Sequence, residues 1–371
     1  MEKVLFSGYY GELNTGDDAF CCVASWGAKK YWHTKEIGFF SHLIPTGIDG
    51  RPIFTSNKSL FPGYRSIEST VKTTLSWPNV VFAGGSVFHD DLNIYRKYLQ
   101  QMGRRKRLRV GAIGVSLGPF KSIKAFKENE EFLKSFSFLA LRDKKSFEIA
   151  AEMNLPYKPI LAFDLAALMP EICPVPVKSE EILNDKVLGV SVCHYERYHN
   201  GDIENEKRRE KQALRLIIEA RKQLAFRVRL FVFNGNSTNG DAELTREFAG
   251  ELAKNNINVE IIPYSLDTYA TWLKIAECDA VLAIRLHAGI FSCFANVPFM
   301  MIEYHRKCGD FLDDIGYPDK YRIGDITGHL NEAVIGLQEM LYDNGTLQLD
   351  VAALTRKAEQ SFTNVDIKCN Y

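Results

Sequence analysis

The chain has 371 residues, of which 46% are apolar and 25% charged. That exceeds the roughly 250–300 residues at which a single core stops growing, so two globular domains are expected and a disordered or fibrous chain is excluded. Lys+Arg and Asp+Glu each total 46, giving zero formal net charge. No global field therefore recruits nucleic acid, and any anion site must be local.

The first residues, MEKVLFSGYYG, read as a buried strand and not as a secretory signal. No apolar run reaches about 18 residues, so no membrane span is expected. The eight cysteines are scattered without C-x-x-C spacing. They read as reduced and mostly buried, which fits a cytoplasmic protein. His and Cys nowhere cluster with ligand spacing, so no metal site is expected.

In chain order, short apolar runs at 3–8, 79–85, 110–116, 138–143, 186–193, 227–234, 259–264, 280–285 and 298–304 predict strands. Their near-continuous apolar character is that of a parallel sheet covered on both faces. Helical periodicity fills the gaps, as at 205–225, 241–255, 267–277 and 331–343. The alternation predicts two doubly wound, Rossmann-like α/β layers. A Pro-rich, charged stretch at 169–185 marks the boundary. The expected division is 1–172, 185–345 and a loosely packed tail at 346–371. The segment 41–75 is weakly patterned and reads as a long excursion.

In such sheets ligands bind beyond the carboxyl ends of strands, at helix N-termini. After the 280–285 strand come Arg285, Leu286, His287, Ala288 and Gly289. On an extended strand end, Arg285 and His287 point the same way. The two small residues let a ligand approach the helix start. An Arg fork with exposed amides suits phosphate or carboxylate, and a His beside it exchanges a proton near neutral pH. The bland alternative is an Arg and a His that only satisfy nearby carbonyls.

After the 298–304 strand stand His305, Arg306 and Lys307, with Glu303 just before. Lys307 reads as a second anion ligand and Glu303 as an orienter or acid, or all of them as a solvated charge run. His194, Tyr195 and Glu196 follow the 186–193 strand, and the NGNSTNG turn at 234–240 ends the next. Both are read either as site walls or as ordinary loops.

In the first half, Gly8 to Asp18 forms a Gly-rich turn that lacks the G-x-G-x-x-G and P-loop patterns. Asn14 and Asp17 are candidates for binding acceptor hydroxyls, or Asp17 and Asp18 merely complement a helix dipole. Ser86, after Gly84-Gly85, and the 116–119 turn end neighbouring strands. Arg142 is either a cation aimed at the ligand or half of an Arg–Asp pair with Asp143. Tyr9, Tyr10 and Phe88 either stack on a sugar or pack the core. The basic run from Arg104 to Arg109 reads as a solvated edge or as a contact for anionic lipid at the inner membrane face.

Together, GYYGELNTGDDAF, FAGGSVF, IGVSLGPF, LRD, RLHAGIFSCFANVPF and EYHRKCGDFLDDIG resemble the polysaccharide pyruvyl transferase family. The resemblance implies a GT-B-like pair of Rossmann-type domains facing each other across a cleft. It implies phosphoenolpyruvate as co-substrate, with no metal or nucleotide cofactor, and a pyruvate ketal bridging two hydroxyls of one sugar. The acceptor would be an oligosaccharide, a lipid-linked glycan or a polysaccharide precursor. It assigns Arg142, Arg285, Leu286 and Lys307 to the donor and His287 to catalysis. Our reading adds Glu303 as the acid, and Asn14, Asp17, Tyr10 and Ser86 for the acceptor. The alternatives are a nucleotide-sugar-dependent glycosyltransferase on the same layout and a non-catalytic glycan-binding relative. Acceptor identity and oligomeric state are not legible.

Overall fold

A computed structural model describes residues 2–53, 71, 74–176, 186–324, 329–342 and 349–365. The chain divides into two compact units: residues 1–11, 17–172 and 352–371 form the first, and residues 12–16 and 173–351 the second.

The first unit holds a seven-stranded sheet in the order β3-β2-β1-β4-β5-β6-β7. Its strands are β1 (Lys3–Ser7), β2 (Glu36–Phe39), β3 (Arg51–Pro52), β4 (Asn79–Ala83), β5 (Arg109–Val115), β6 (Phe138–Leu141) and β7 (Ile160–Leu161). Every pairing is parallel. β4 is buried along its whole length: Val80–Ala83 are apolar, and the Asn79 side-chain amide donates to Lys3 O at 2.7 Å. Phe82, Phe88, Phe132 and Phe136 form an aromatic core between this sheet and its helices, edge-to-face except for the stacked pair Phe82–Phe136.

The second unit repeats the plan in the order β10-β9-β8-β11-β12-β13. Its strands are β8 (Lys186–Ser191), β9 (Phe226–Phe231), β10 (Val259–Ile262), β11 (Ala280–Ala283), β12 (Phe299–Ile302) and β13 (Arg322–Ile323). All pairings are again parallel. In both sheets the order reverses beside the first strand, so the switch points lie between β1 and β4 and between β8 and β11. A crevice opens at such points beyond the carboxyl ends.

Helix starts follow their local chemistry. Asn93, Ser122, Asp143, Asp202 and Asp267 each cap a first turn through a side-chain oxygen. The nine predicted strands and four predicted helices are present within a few residues. The short strands β2, β3, β7 and β13, of two to four residues, carry too little pattern to be seen in sequence.

Two expectations need correction. The helix Val351–Thr363 is not a loose tail. It packs in the first unit, where Phe362 stacks on Tyr31 and its carbonyl accepts from Trp32 Nε1 at 3.1 Å. Residues 12–16 belong by contact to the second unit, although the first strand and the rest of helix Thr15–Lys30 lie in the first. Parts of the 41–75 excursion and of the 169–185 boundary lie outside the described residues.

Candidate functional site

In the second unit, β11 ends beside β8, and Ser191 at the tip of β8 ties the two together. Its carbonyl accepts from Ile284 N at 3.0 Å and its hydroxyl from Arg285 N at 3.2 Å. Helix Leu286–Phe294 begins immediately afterward, with Arg285 as N-cap and no side-chain cap bond. His287 therefore sits in a first helical turn and not on an extended strand end. Amides in a first helical turn have no partner within the helix, and the dipole at that end favours an anion.

Gly289 has a different reason from the one sequence suggested. A Cβ there would stand 2.1 Å from Met301 Cε. Its smallness lets the helix pack on β12.

Arg285 is gripped by Asp241. Nε donates to Oδ2 at 3.0 Å and Nη2 donates to Oδ1. Asp241 is the N-cap of helix Ala242–Lys254, yet its carboxylate makes no cap bond; it turns to Arg285 and to the amide of Asn234 at 2.9 Å. Burial opposes both charges. In Arg285 the Asp241 carboxylate outweighs burial and raises the guanidinium's pKa, so the cation persists. Burial raises Asp241 against the pull of Arg285.

The second turn of interest is the N-terminal loop. Thr15 N and Oγ1 both donate to Phe233 O, at 2.9 and 3.0 Å, and Gly235 N donates to Leu13 O at 2.8 Å. Asn14 forms an antiparallel bridge with Asn234, and its Oδ1 accepts from Gly16 N at 3.0 Å. This pairing docks residues 13–16 on the end of β9 and sets Gly16 against the ring of His287. Sequence reading placed Asn14 with the first domain. The structure places it in the second, with its side-chain oxygen already engaged.

Beyond β12, Lys307 lies in the first turn of helix Arg306–Ile315. That helix is capped: His305 Nδ1 accepts from Lys307 N at 3.1 Å. Burial, then Lys307 and Arg306, push His305 down to about 4, so its ring is a neutral acceptor at neutral pH. Glu303 takes a fork from Arg322, at 2.9 and 3.3 Å. Both Glu303 oxygens are thus engaged by Arg322, where the sequence reading gave this side chain the role of acid. Arg322 was missed because it lies in an unseen two-residue strand, β13.

The loop after β8 is an ion-pair network. His194 Nδ1 lies 2.7 Å from Glu210 Oε1, and Glu206 takes Arg197 Nε at 2.6 Å and Tyr195 N at 2.7 Å. Burial opposes ionisation of Glu206, but these donors hold its carboxyl below the usual range. His194, Glu206 and Glu210 are the group of metal-ligating type found among the described residues. Arg197 already occupies the Glu206 oxygen that faces His194, so the set fits an ion pair better than a cation.

In the first unit, the ends of β4, β5 and β6 bring Ser86, Ser116 and Arg142 together. Arg142 donates from Nε to Ser116 Oγ at 2.6 Å, from Nη2 to Ser86 Oγ at 3.1 Å and from Nη1 to Asp164 at 2.8 Å. Its ion-pair partner is thus Asp164 and not Asp143, which caps the next helix through Ser146 N at 2.7 Å. Tyr10 is a core residue: it is 4% exposed and its hydroxyl donates to Ala83 O at 2.6 Å. Phe88 is fully buried, and Tyr9 remains 45% exposed. Asp17 stands in the first turn of helix Thr15–Lys30. The basic run is exposed at Arg104, Arg105, Lys106 and Arg107, with Arg104 paired to Glu131 at 2.6 Å.

The sequence model of the polysaccharide pyruvyl transferase family matches residues 14–306. The chain belongs to that family. The matched span runs from Asn14 to just past His305 and includes Asp241, Arg285 and His287, while Lys307 and Arg322 lie beyond it. No curated protein matches the sequence. Among solved structures, this pyruvyl transferase family member is similar to the UDP-GlcNAc 2-epimerase of Methanocaldococcus jannaschii, at 13% identity and TM-score 0.59 over 97% of this chain and 98% of that one. It is similar to MnaA of S. aureus, solved with UDP, at 10% identity and TM-score 0.60 over 98% and 92%. It is also similar to Anabaena Alr3699/HepE, solved with UDP-glucose, at 12% identity and TM-score 0.58 over 98% and 100%. At such identities these likenesses show the GT-B-like α/β fold alone. Among the described residues no helix is long and apolar enough to cross a membrane.

Proposed function

We propose that this transferase moves the enolpyruvyl group of phosphoenolpyruvate onto two hydroxyls of one sugar in a glycan or glycan precursor, forming a ketal and releasing phosphate. The observation that carries the reading is the uncapped helix start at Leu286, set at the β8/β11 switch point with Arg285 and His287 on either side of it.

Phosphoenolpyruvate carries a phosphate and a carboxylate in a small volume. The amides of Leu286 and His287 and the guanidinium of Arg285 meet one such group, and Lys307 on the neighbouring helix meets the other. Arg285 is held by Asp241, so it offers an oriented edge more than a free charge. His287 takes the proton of the first sugar hydroxyl as that oxygen bonds to C2 of the donor. The donor's methylene gains a proton and becomes a methyl group. The imidazolium just formed on His287 is the donor we favour, because both Glu303 oxygens are already engaged by Arg322. Phosphate then leaves C2 as a second hydroxyl of the same sugar closes the ketal and loses its proton. Arg142 is kept as a proposed donor residue on the family resemblance, and Asn14, Asp17 and Ser86 as proposed acceptor residues. No metal or nucleotide enters the scheme.

A thermal-shift comparison tests the donor. Stabilisation by phosphoenolpyruvate at concentrations where UDP gives none supports the reading; stabilisation by UDP alone supports a nucleotide-sugar transferase instead.

A further inference from the structure

The N-terminal turn and His287 meet at Gly16. A Cβ built on Gly16 would stand 2.2 Å from His287 Nδ1, 2.5 Å from Cγ and 2.6 Å from Cε1. No real Cβ tolerates such distances, so the imidazole itself occupies the space where any side chain would begin. The backbone at Gly16 is not left-handed, so space and not conformation excludes a larger residue.

The turn is pinned at three points. Asn14 Oδ1 accepts from Gly16 N at 3.0 Å, Thr15 donates twice to Phe233 O, and Gly235 N donates to Leu13 O at 2.8 Å. Thr15 is fully buried. One side of the His287 ring is thereby set by a backbone whose own position is fixed by the end of β9. A wall of this kind limits the rotamers open to the imidazole without changing its chemistry.

We propose that Gly16, held by Asn14 and Thr15, is a positioning residue for His287: the N-terminal turn fixes the imidazole in the orientation needed for proton transfer. This assigns a task to the Asn-Thr-Gly opening, which lies about 270 residues away in the chain from the group it orients. It rests on the proposed proton-transfer role of His287 but is tested in part without it.

The test uses the full chain labelled with ¹⁵N-histidine, the His287 signal being assigned by its loss in His287→Gln. Imidazole signals and their titration are compared in the wild type, Gly16→Ala, Asn14→Ala and Asn14→Asp. In Gly16→Ala the His287 signal and its titration midpoint move while those of His305 stay. Turnover with phosphoenolpyruvate and acceptor falls on the order of 10²-fold, as for a displaced catalytic group. The loss falls in kcat, with KM for the donor little changed, and the pH profile of kcat moves with the His287 titration. Asn14→Ala shows a smaller change in the same direction, and Asn14→Asp, which keeps the accepting oxygen, restores most of it. A Gly16→Ala protein with wild-type His287 signals, or with its loss confined to KM, overturns the proposal. Should Gly16→Ala fail to fold, the two Asn14 variants decide in the same way, and unmoved His287 signals in Asn14→Ala overturn it. A wild type without pyruvyl transfer sinks the proposed function alone, while the imidazole signals still judge the positioning.

Discussion

Asp241 holds Arg285 through both carboxylate oxygens, and each residue stands at the start of a different helix of the second unit. The fork keeps Arg285 charged and fixed in direction. It also means that an incoming anion shares Arg285 with a resident carboxylate.

Asp241→Asn removes that resident charge. We expect lower stability, toward the lower end of the about 3–5 kcal/mol typical of breaking a buried pair, because Arg285 is 19% exposed. We also expect inorganic phosphate to raise the melting temperature more in Asp241→Asn than in the wild type, since it supplies the missing negative charge. Equal shifts would show that phosphate does not use Arg285.

Arg142 is paired with Asp164 and not with its chain neighbour Asp143. Asp164→Asn is therefore expected to cost more stability than Asp143→Ala. The first breaks a buried pair, at about 3–5 kcal/mol; the second removes a helix cap, at about 0.5–2 kcal/mol, and the acceptor of the Ser116 and Ser146 hydroxyls, which brings it to the upper end of that range. Urea titration of both variants checks the order, and the reverse order contradicts the pairing.

His305 accepts from the Lys307 amide as a neutral ring, and burial with its two cationic neighbours pushes it down to about 4. An unfolded His titrates near 6.5. Between those values the unfolded chain binds a proton that the folded one refuses, so stability is lost as pH falls from about 6.5 toward about 4. His305→Asn keeps a capping oxygen but does not titrate. Wild type should lose stability relative to this variant across that window, measured by urea titration at several pH values. A difference independent of pH would contradict the assignment.

Burial raises Cys193 and Cys293 to about 12 and Cys308 to about 11, so little thiolate exists at neutral pH. Native-state maleimide labelling with peptide mapping should leave these three unmodified, while Cys173, which is partly exposed, reacts. Fast labelling of Cys193 or Cys308 in the folded protein would contradict their burial.

The legible parts were those whose signal is local. Buried strands announce themselves by unbroken apolar runs such as Val80–Ala83, and Arg285-Leu286-His287 stood out because ionisable residues after a buried strand are costly unless used or paired. What stayed hidden was the second half of each pair. Neither Asp241 nor Asp164 announces its arginine in the sequence, because a partner 44 or 22 positions away leaves no trace in the pattern. Gly16 looked like turn chemistry, and only the folded chain shows the imidazole against it. Tyr10 and Glu303 misled for the same reason. Each has the right chemistry for a site, but burial under Ala83 and the grip of Arg322 commit them elsewhere.

The central claim is that His287 moves a proton in the transfer of an enolpyruvyl group. Incubation of wild type and His287→Ala with phosphoenolpyruvate and a panel of p-nitrophenyl glycosides tests it most directly, with mass spectrometry of the glycoside and assay of released phosphate. For at least one sugar, wild type should give a glycoside heavier by one pyruvate ketal with one phosphate released per product, and His287→Ala should be slower by roughly 10²–10⁴-fold. A His287→Ala enzyme with wild-type turnover, or phosphate release that never yields a ketal, would contradict the claim.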